Sequence, residues 1–285
     1  NRITRMDYRG GNTVFSFRRI EDNRGAIQGK NVVQVGNMVY FLAEDGFYVT
    51  DGSGSKPIGA NKVDRFFFGD LKNSLRERVH GFYDHENKLV MWSYPSATGS
   101  STANQNDKLI IYHIASDRWS QAEFDHEVII SFLSPGLTLE ELDDFPTAGT
   151  DDIDAITVSL DSAQFIGGIR SVGVFNTSHK LGAFEGGALA ATIGTGETEL
   201  FPMNRSLVTH IRPIVDTSSA TGTISFRNRV ADNVSTTSAA SMHATGTIPF
   251  HKSARYFKFN LQIPASTTWS DAQGIDVEAI KEGYR

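Results

Sequence analysis

Residues Val35–Gly59 read V-G-N-M-V-Y-F-L-A-E-D-G-F-Y-V-T-D-G-S-G-S-K-P-I-G. Two short apolar runs, Met38–Ala43 and Phe47–Thr50, flank a Glu-Asp-Gly turn. A second turn, Asp51-Gly52, is followed by a polar loop and an Ile-Gly return. Asp-Gly between β-prone runs predicts a hairpin, because glycine takes φ > 0 without a Cβ clash. Small antiparallel units of this kind, repeated, build propellers and other all-β folds.

Composition agrees with that reading. The chain has 285 residues, enough for one large all-β domain or two ordinary ones. Nineteen Phe, eight Tyr and three Trp favour strands over helices. There is no cysteine, which excludes disulfides and thiolate chemistry. No run approaches the ~20 apolar residues that span a bilayer as a helix. The first residue is Asn and the pattern starts in mid-course, so a preceding N-terminal region is expected.

Charge is unevenly spread over a net −6. Residues 196–285 hold nine Lys/Arg and eight Asp/Glu. Between Arg118 and Arg170 there is no Lys or Arg but there are eleven carboxylates, among them Glu140, Glu141, Asp143, Asp144, Asp151, Asp152 and Asp154. No basic nucleic-acid-binding face is expected. The block reads as a solvated insertion, or as an acidic surface that repels DNA phosphates.

The pattern continues outward from the opening hairpin. Asn61–Val79 predicts a partly helical segment, with Phe66–Phe68, Leu71, Leu75 and Val79 near helical spacing and Asp64 as a cap. Arg78–Tyr83 and Lys88–Tyr94 read as strands joined by a turn at Glu86-Asn87-Lys88. Ser96–Asp107 reads as an exposed, mobile polar loop. Lys108–Ile114, Ala115–Arg118 and Trp119–Phe124 then read as strand, turn and strand. Arg78–Phe124 thus offers four strands in a segment the size of one propeller blade. Further strands are expected at Val128–Leu133, Ala155–Leu160 and Gln164–Phe175. Leu137–Phe145 reads as a short helix, with Thr138 and Glu141 forming a capping box.

The Gly/Ala-rich stretch Glu185–Gly196 reads as a boundary. Beyond it, Leu207–Val215, Gly222–Arg229, Tyr256–Ile263 and Ile275–Ile280 alternate with period two, separated by loops such as Ser235–Thr247. Pro213, Pro249 and Pro264 are expected at strand ends or on edge strands. The expected fold class is therefore all-β: partial β-propeller blades over residues 1–195, followed by a β-sandwich or jelly-roll-like module over 196–285.

The chemical motifs are sparse. Tyr112–Ser120 has a kelch-like look, with Trp119 wedging between blades; it also resembles a sialidase Asp-box turn that lacks its Gly and Thr. His80 and His85 are too loosely spaced for a metal site. In Asp125-His126-Glu127, neighbours on a strand point to opposite faces, so the three cannot converge. Asp151-Asp152-Ile153-Asp154 lacks EF-hand spacing. Gly194-Thr195-Gly196 lacks the rest of a phosphate loop, and no G-x-S-x-G occurs. No catalytic, cofactor-binding or metal-binding residue is assigned, and no cofactor is expected.

Several strings resemble the C-terminal part of the tail hub, or nozzle, protein of short-tailed bacteriophages, a β-propeller-containing, head-to-tail connecting family. They are Arg24–Ile27, Val32–Gly36, Val39–Tyr48, Pro57–Phe67, Asp117–Ser120, Ala254–Phe259 and Gln273–Ala279. The resemblance implies a non-enzymatic virion subunit, made in the host cytoplasm and assembled as a ring, six-fold by expectation. The ring would extend the DNA conduit below portal and adaptor, carry a tailspike, fibre or needle, and touch passing DNA non-specifically. Ser96–Asp107 and the acidic block are expected at ring or lumen surfaces. Two other readings stay open: a carbohydrate-binding or carbohydrate-cleaving propeller, and a kelch-like interaction module.

Overall fold

The computed structural model describes residues 2–99, 105–133, 170–184 and 188–283. The chain is all-β and divides into two compact units, Asn1–Phe184 and Glu185–Arg285.

The first unit opens with a two-stranded hairpin, β1 (Arg2–Tyr8) and β2 (Phe15–Asp22). Next comes a four-stranded antiparallel meander of β3 (Val33–Val35), β4 (Met38–Ala43), β5 (Gly46–Thr50) and β6 (Ser55–Pro57), in that order. A second meander holds β7 (His80–Asp84), β8 (Leu89–Tyr94), β9 (Asn106–His113) and β10 (Arg118–His126). A three-stranded sheet follows, of β11 (Val128–Leu133), β12 (Arg170–Phe175) and β13 (Leu181–Ala183).

Turn residues set these registers. Ala43 pairs with Gly46 across Glu44-Asp45, closing the hairpin read from the sequence. At the second turn, Gly52 has φ +85°, and Asp51 Oδ1 accepts the Ser53 amide at 2.8 Å. In the β7–β8 turn, Asp84 Oδ1 accepts the Glu86 amide at 3.0 Å.

Period-two alternation then sends side chains to two different cores. From β4 and β5, Tyr40, Leu42, Phe47 and Val49 face one core, which they share with Val90, Trp92, Tyr94, Ile110 and Tyr112 of the second meander. Phe41, Ala43 and Tyr48 face the other way, onto Ile3 and Ala26. The second meander likewise turns Phe82, Met91 and Leu109 onto Ile129, Val172 and Val174. The series is hairpin, four-stranded blade, four-stranded blade, three-stranded sheet, each packed on the next. No closed ring of blades forms among the described residues.

The partly helical segment expected at Asn61–Val79 is present, as α1 (Asp64–Asp70) and a 3₁₀ stretch at Asn73–Arg78. Leu71 is extended and bridges Ser96, so strand-like pairing overrides the helical spacing. Two expectations need correction here. Asp64 lies inside the helix and makes no cap; Val63 takes the cap position without a side-chain bond. The Ser96–Asp107 loop is also not simply exposed. Ser96, Asn106 and Asp107 are buried, with Ser96 donating to Asp107 through its amide (2.7 Å) and hydroxyl (2.6 Å). The expected helix at Leu137–Phe145, the strand at Ala155–Leu160 and the first part of Gln164–Phe175 lie outside the described residues.

The second unit is a sandwich of two sheets. Its strands are β14 (Ala191–Gly194), β15 (Thr198–Glu199), β16 (Ser206–Val215), β17 (Thr221–Arg227), β18 (Ser235–Thr236), β19 (Ala240–Ser241), β20 (Ile248–Ala254), β21 (Tyr256–Ile263) and β22 (Ala272–Lys281). One sheet runs β14-β21-β17-β18, with β15 on β21 and β19 on β17; the other runs β20-β16-β22. Val208, Ile211, Ile248 and Phe250 of one sheet meet Ile224, Phe257, Phe259 and Leu261 of the other in a single core. Pro249 sits on an edge strand, and Pro264 directly follows β21. Pro213 lies within β16, where only β22 pairs with it. Short pairings at β18 and β19 interrupt the expected Ser235–Thr247 loop. Because β14 pairs with β21, residues just before 196 belong to this unit.

Candidate functional site

The seam between the two blades is aromatic. Phe47 is fully buried, with its ring centroid 4.9 Å from Phe67, 4.7 Å from Trp92 and 5.0 Å from Trp119. Trp119 starts the outer strand of the second blade, yet its indole N–H donates to the Ile58 carbonyl after β6 at 3.2 Å. It therefore wedges between blades, as its place after an Asp-containing turn predicted. Asp117 forms that turn at φ +52° and binds Lys62 at 2.6 Å. Tyr112 donates to Asp117 at 3.1 Å, and burial together with this bond pushes its hydroxyl up to about 12.

Two glycines make room for a carboxylate at the same seam. Asp64 Oδ1 accepts the Phe47 amide at 3.2 Å. A Cβ at Gly59 would lie 1.9 Å from Asp64 Oδ1, and one at Gly46 would lie 2.4 Å from Oδ2. A Cβ at either position would push the Asp64 carboxylate off the Phe47 amide. Burial raises the Asp64 carboxyl above its usual range, partly offset by the Phe47 amide. Glu44 and Asp45 take the hairpin turn instead: Asp45 accepts from Tyr48 at 2.7 Å and Glu44 pairs with Arg76 at 3.8 Å.

The end of the second blade carries a polar row, one residue from each strand. His80 of β7 pairs across with Ser93 of β8, and Asn106 of β9 pairs with His126 of β10. Asn106 Nδ2 donates to Ser93 Oγ at 2.6 Å, and Ser93 Oγ is 2.6 Å from His126 Nε2. His126 Nδ1 faces the Phe124 carbonyl at 2.9 Å, so Nδ1 carries the proton and Nε2 accepts from Ser93. His80 Nδ1 faces the Arg78 carbonyl at 3.3 Å, while its Nε2 accepts the Ile129 amide at 3.2 Å. Both rings are thus neutral. Burial holds both below the usual histidine range; the carbonyl bonds oppose it and lose.

Ser93 beside His126 has the spacing of a nucleophile and a base. Both residues are wholly buried, and a carbonyl, not a carboxylate, orients the imidazole. The geometry serves to tie four strand ends together. The adjoining cleft, about 820 Å³, is lined by Lys30, Glu77, Arg78, His80, Gln105 and Glu127, a mixed-charge set. The His85 ring packs edge-on against Tyr83. Glu127 meets His179 at 2.9 Å. No group of three or more His, Asp or Glu positioned for a metal occurs among the described residues. Gly194-Thr195-Gly196 makes a strand end: Thr195 Oγ1 accepts the Phe259 amide at 3.0 Å. Asp151–Asp154 lies outside the described residues.

A second polar cluster anchors the start of the 96–107 loop. Asp70 accepts from Thr98 (2.6 Å), Lys108 (2.9 Å) and Tyr94 (3.0 Å). Burial alone would raise the Asp70 carboxyl; these bonds outweigh it and hold it low. Nothing in the sequence pattern pointed to this cluster or to the polar row, because both are built from residues far apart in the chain.

The chain matches no family model and no curated protein. Among the described residues no helix is long and apolar enough to cross a membrane.

Proposed function

We propose that the chain is a structural subunit of the tail hub, or nozzle, ring of a short-tailed bacteriophage, acting in virion assembly and genome ejection. One observation carries the reading. Three of the five strings of the first unit on which the resemblance rests, Val39–Tyr48, Pro57–Phe67 and Asp117–Ser120, meet at the blade seam. Phe47 comes from Val39–Tyr48, Ile58, Asp64 and Phe67 come from Pro57–Phe67, and Trp119 comes from Asp117–Ser120. In the second unit, Phe257 and Phe259 of Ala254–Phe259 and Val277 of Gln273–Ala279 enter the sandwich core. The likeness therefore lies in residues that determine the fold.

In this role the blades are rigid spacers. Their buried polar groups are used on strand ends and loop bases, as the polar row and the Asp70 cluster illustrate. The net negative charge suits a conduit through which DNA must slide without sticking. Copies would form a ring, six-fold in this proposal, below portal and adaptor and above a tailspike, fibre or needle. Native mass spectrometry of the full chain, alone and with portal and adaptor, tests this. Rings of identical copies are expected. Strict monomers in both conditions, or glycan turnover by the chain, would remove the reading.

A further inference from the structure

Among the described residues, the β1–β2 hairpin packs on the first blade at its base. At its base, Ile3 packs on Phe41 and Tyr48, and Glu21 accepts the Ser55 amide (3.1 Å) and hydroxyl (2.6 Å) of the first blade. Arg24 lies 4.3 Å from the centre of the Tyr48 ring. Further out, Met6 pairs with Phe17 and Tyr8 with Phe15 across the two strands, which puts all four on one face. That face is bare: Met6 is 57 %, Tyr8 74 %, Phe15 44 % and Phe17 69 % exposed. A two-stranded hairpin is marginal in water unless a third strand or another element covers its apolar face. Among the described residues the distal half has neither, yet its sequence holds four large apolar residues in register.

We propose that the distal half of this hairpin is an intersubunit arm that docks on a second copy of this chain. The proposal rests on the ring reading above. Charge selects the occupant. The hairpin, residues 2–22, holds five Arg against three Asp/Glu, whereas the rest of the chain holds 22 Lys/Arg against 30 Asp/Glu. A cationic arm on an anionic body is complementary to another copy of that body and repelled by another arm, so the contact runs head to tail, the arrangement that closes into rings. Size agrees with a latch and not a whole interface. At about 150–250 Å² per aromatic ring, the exposed fractions leave on the order of 400 Å² of apolar surface. A standard interface takes about 800 Å² from each partner, so the arm supplies roughly half of one side.

The test uses the full chain with the photo-cross-linker p-benzoylphenylalanine placed at Phe17, and separately at the exposed Val230 as control. Expected is cross-linking to a second copy at least tenfold above the control. The double variant Tyr8→Ser, Phe17→Ser, with an unchanged melting profile, should weaken self-association at least tenfold. Cross-linking at the control level, or unchanged assembly of the double variant, overturns the arm. Rings without a Phe17 cross-link remove the arm and leave the ring reading. A Phe17 cross-link confined to pairs of copies supports the arm and removes the ring. Flotation with phosphatidylserine vesicles, lost in the double variant and without cross-linking between copies, overturns the proposal in favour of a lipid surface.

Discussion

Phe47→Ala probes the packing of one blade on the next. The ring is fully buried and touches Phe67, Trp92 and Trp119, which come from the connecting helix and from the second blade. Removing a buried Phe side chain costs about 3–5 kcal/mol, because the lost transfer energy adds to the cavity left behind. Three aromatic pairs are lost with the ring, which places Phe47 in the upper part of that range, about 4–5 kcal/mol. With a urea slope of about 2 kcal/mol per M, the midpoint falls by roughly 2 M. The assay is urea unfolding followed by tryptophan fluorescence in a Trp269→Phe background, which leaves only the seam indoles Trp92 and Trp119. Because both blades share this core, the transition should stay single while moving. A loss below about 1 kcal/mol, or a split in which the second blade melts at its original midpoint, would refute the shared core.

Three further outcomes follow from the polar groups. His80 and His126 are held neutral with folded pKa values below the unfolded value of about 6.5, so the unfolded chain binds protons first as pH falls; their contribution is full above about pH 6.5 and declines below it, at up to about 1.4 kcal/mol per pH unit for each histidine. Chemical denaturation between pH 7 and 5 should show this slope, and His126→Gln should flatten it relative to the parent. Lys108→Met leaves the Asp70 carboxylate buried without its cation and should cost about 3–5 kcal/mol by urea unfolding, much of it recovered when Asp70→Leu is added; no recovery in the double variant would contradict the pairing. Gly59→Ala should cost about 1–3 kcal/mol by displacing Asp64 from the Phe47 amide, and the penalty should shrink in an Asp64→Ala background, as thermal melts of the four-protein cycle would show.

The blades were legible because their signals are local. The runs at 38–43, 47–50, 88–94 and 108–114 lie between Asp, Gly and Asn turns, and the strands follow them to within about two residues. The sandwich strand Tyr256–Ile263 matched because its alternation is clean. Trp119 could be placed because a turn Asp precedes it. What escaped depends on tertiary partners. Leu71, Leu75 and Val79 have helical spacing, but the pairing of Leu71 with Ser96 and the non-helical Leu75 pull the segment off that path. Asn106 and Asp107 look like loop residues but start β9, where the Asn106 amide nitrogen bonds Ser93 and the Arg78 carbonyl and Asp107 bonds Ser96. The β1–β2 hairpin alternates apolar residues with arginines and a Gly-Gly tip, a pattern too polar to read as a strand pair. The polar row joins His80 to His126 across the width of a sheet, a juxtaposition that only the strand order produces.

In the proposed role these blades build an axial tail ring. Electron microscopy of the virion at side-chain resolution tests it most directly. Six copies are expected around the DNA channel below the portal, with the Phe47–Trp119 seam inside each copy. Finding the chain away from the tail axis, or as a single copy at a fibre tip, would contradict it.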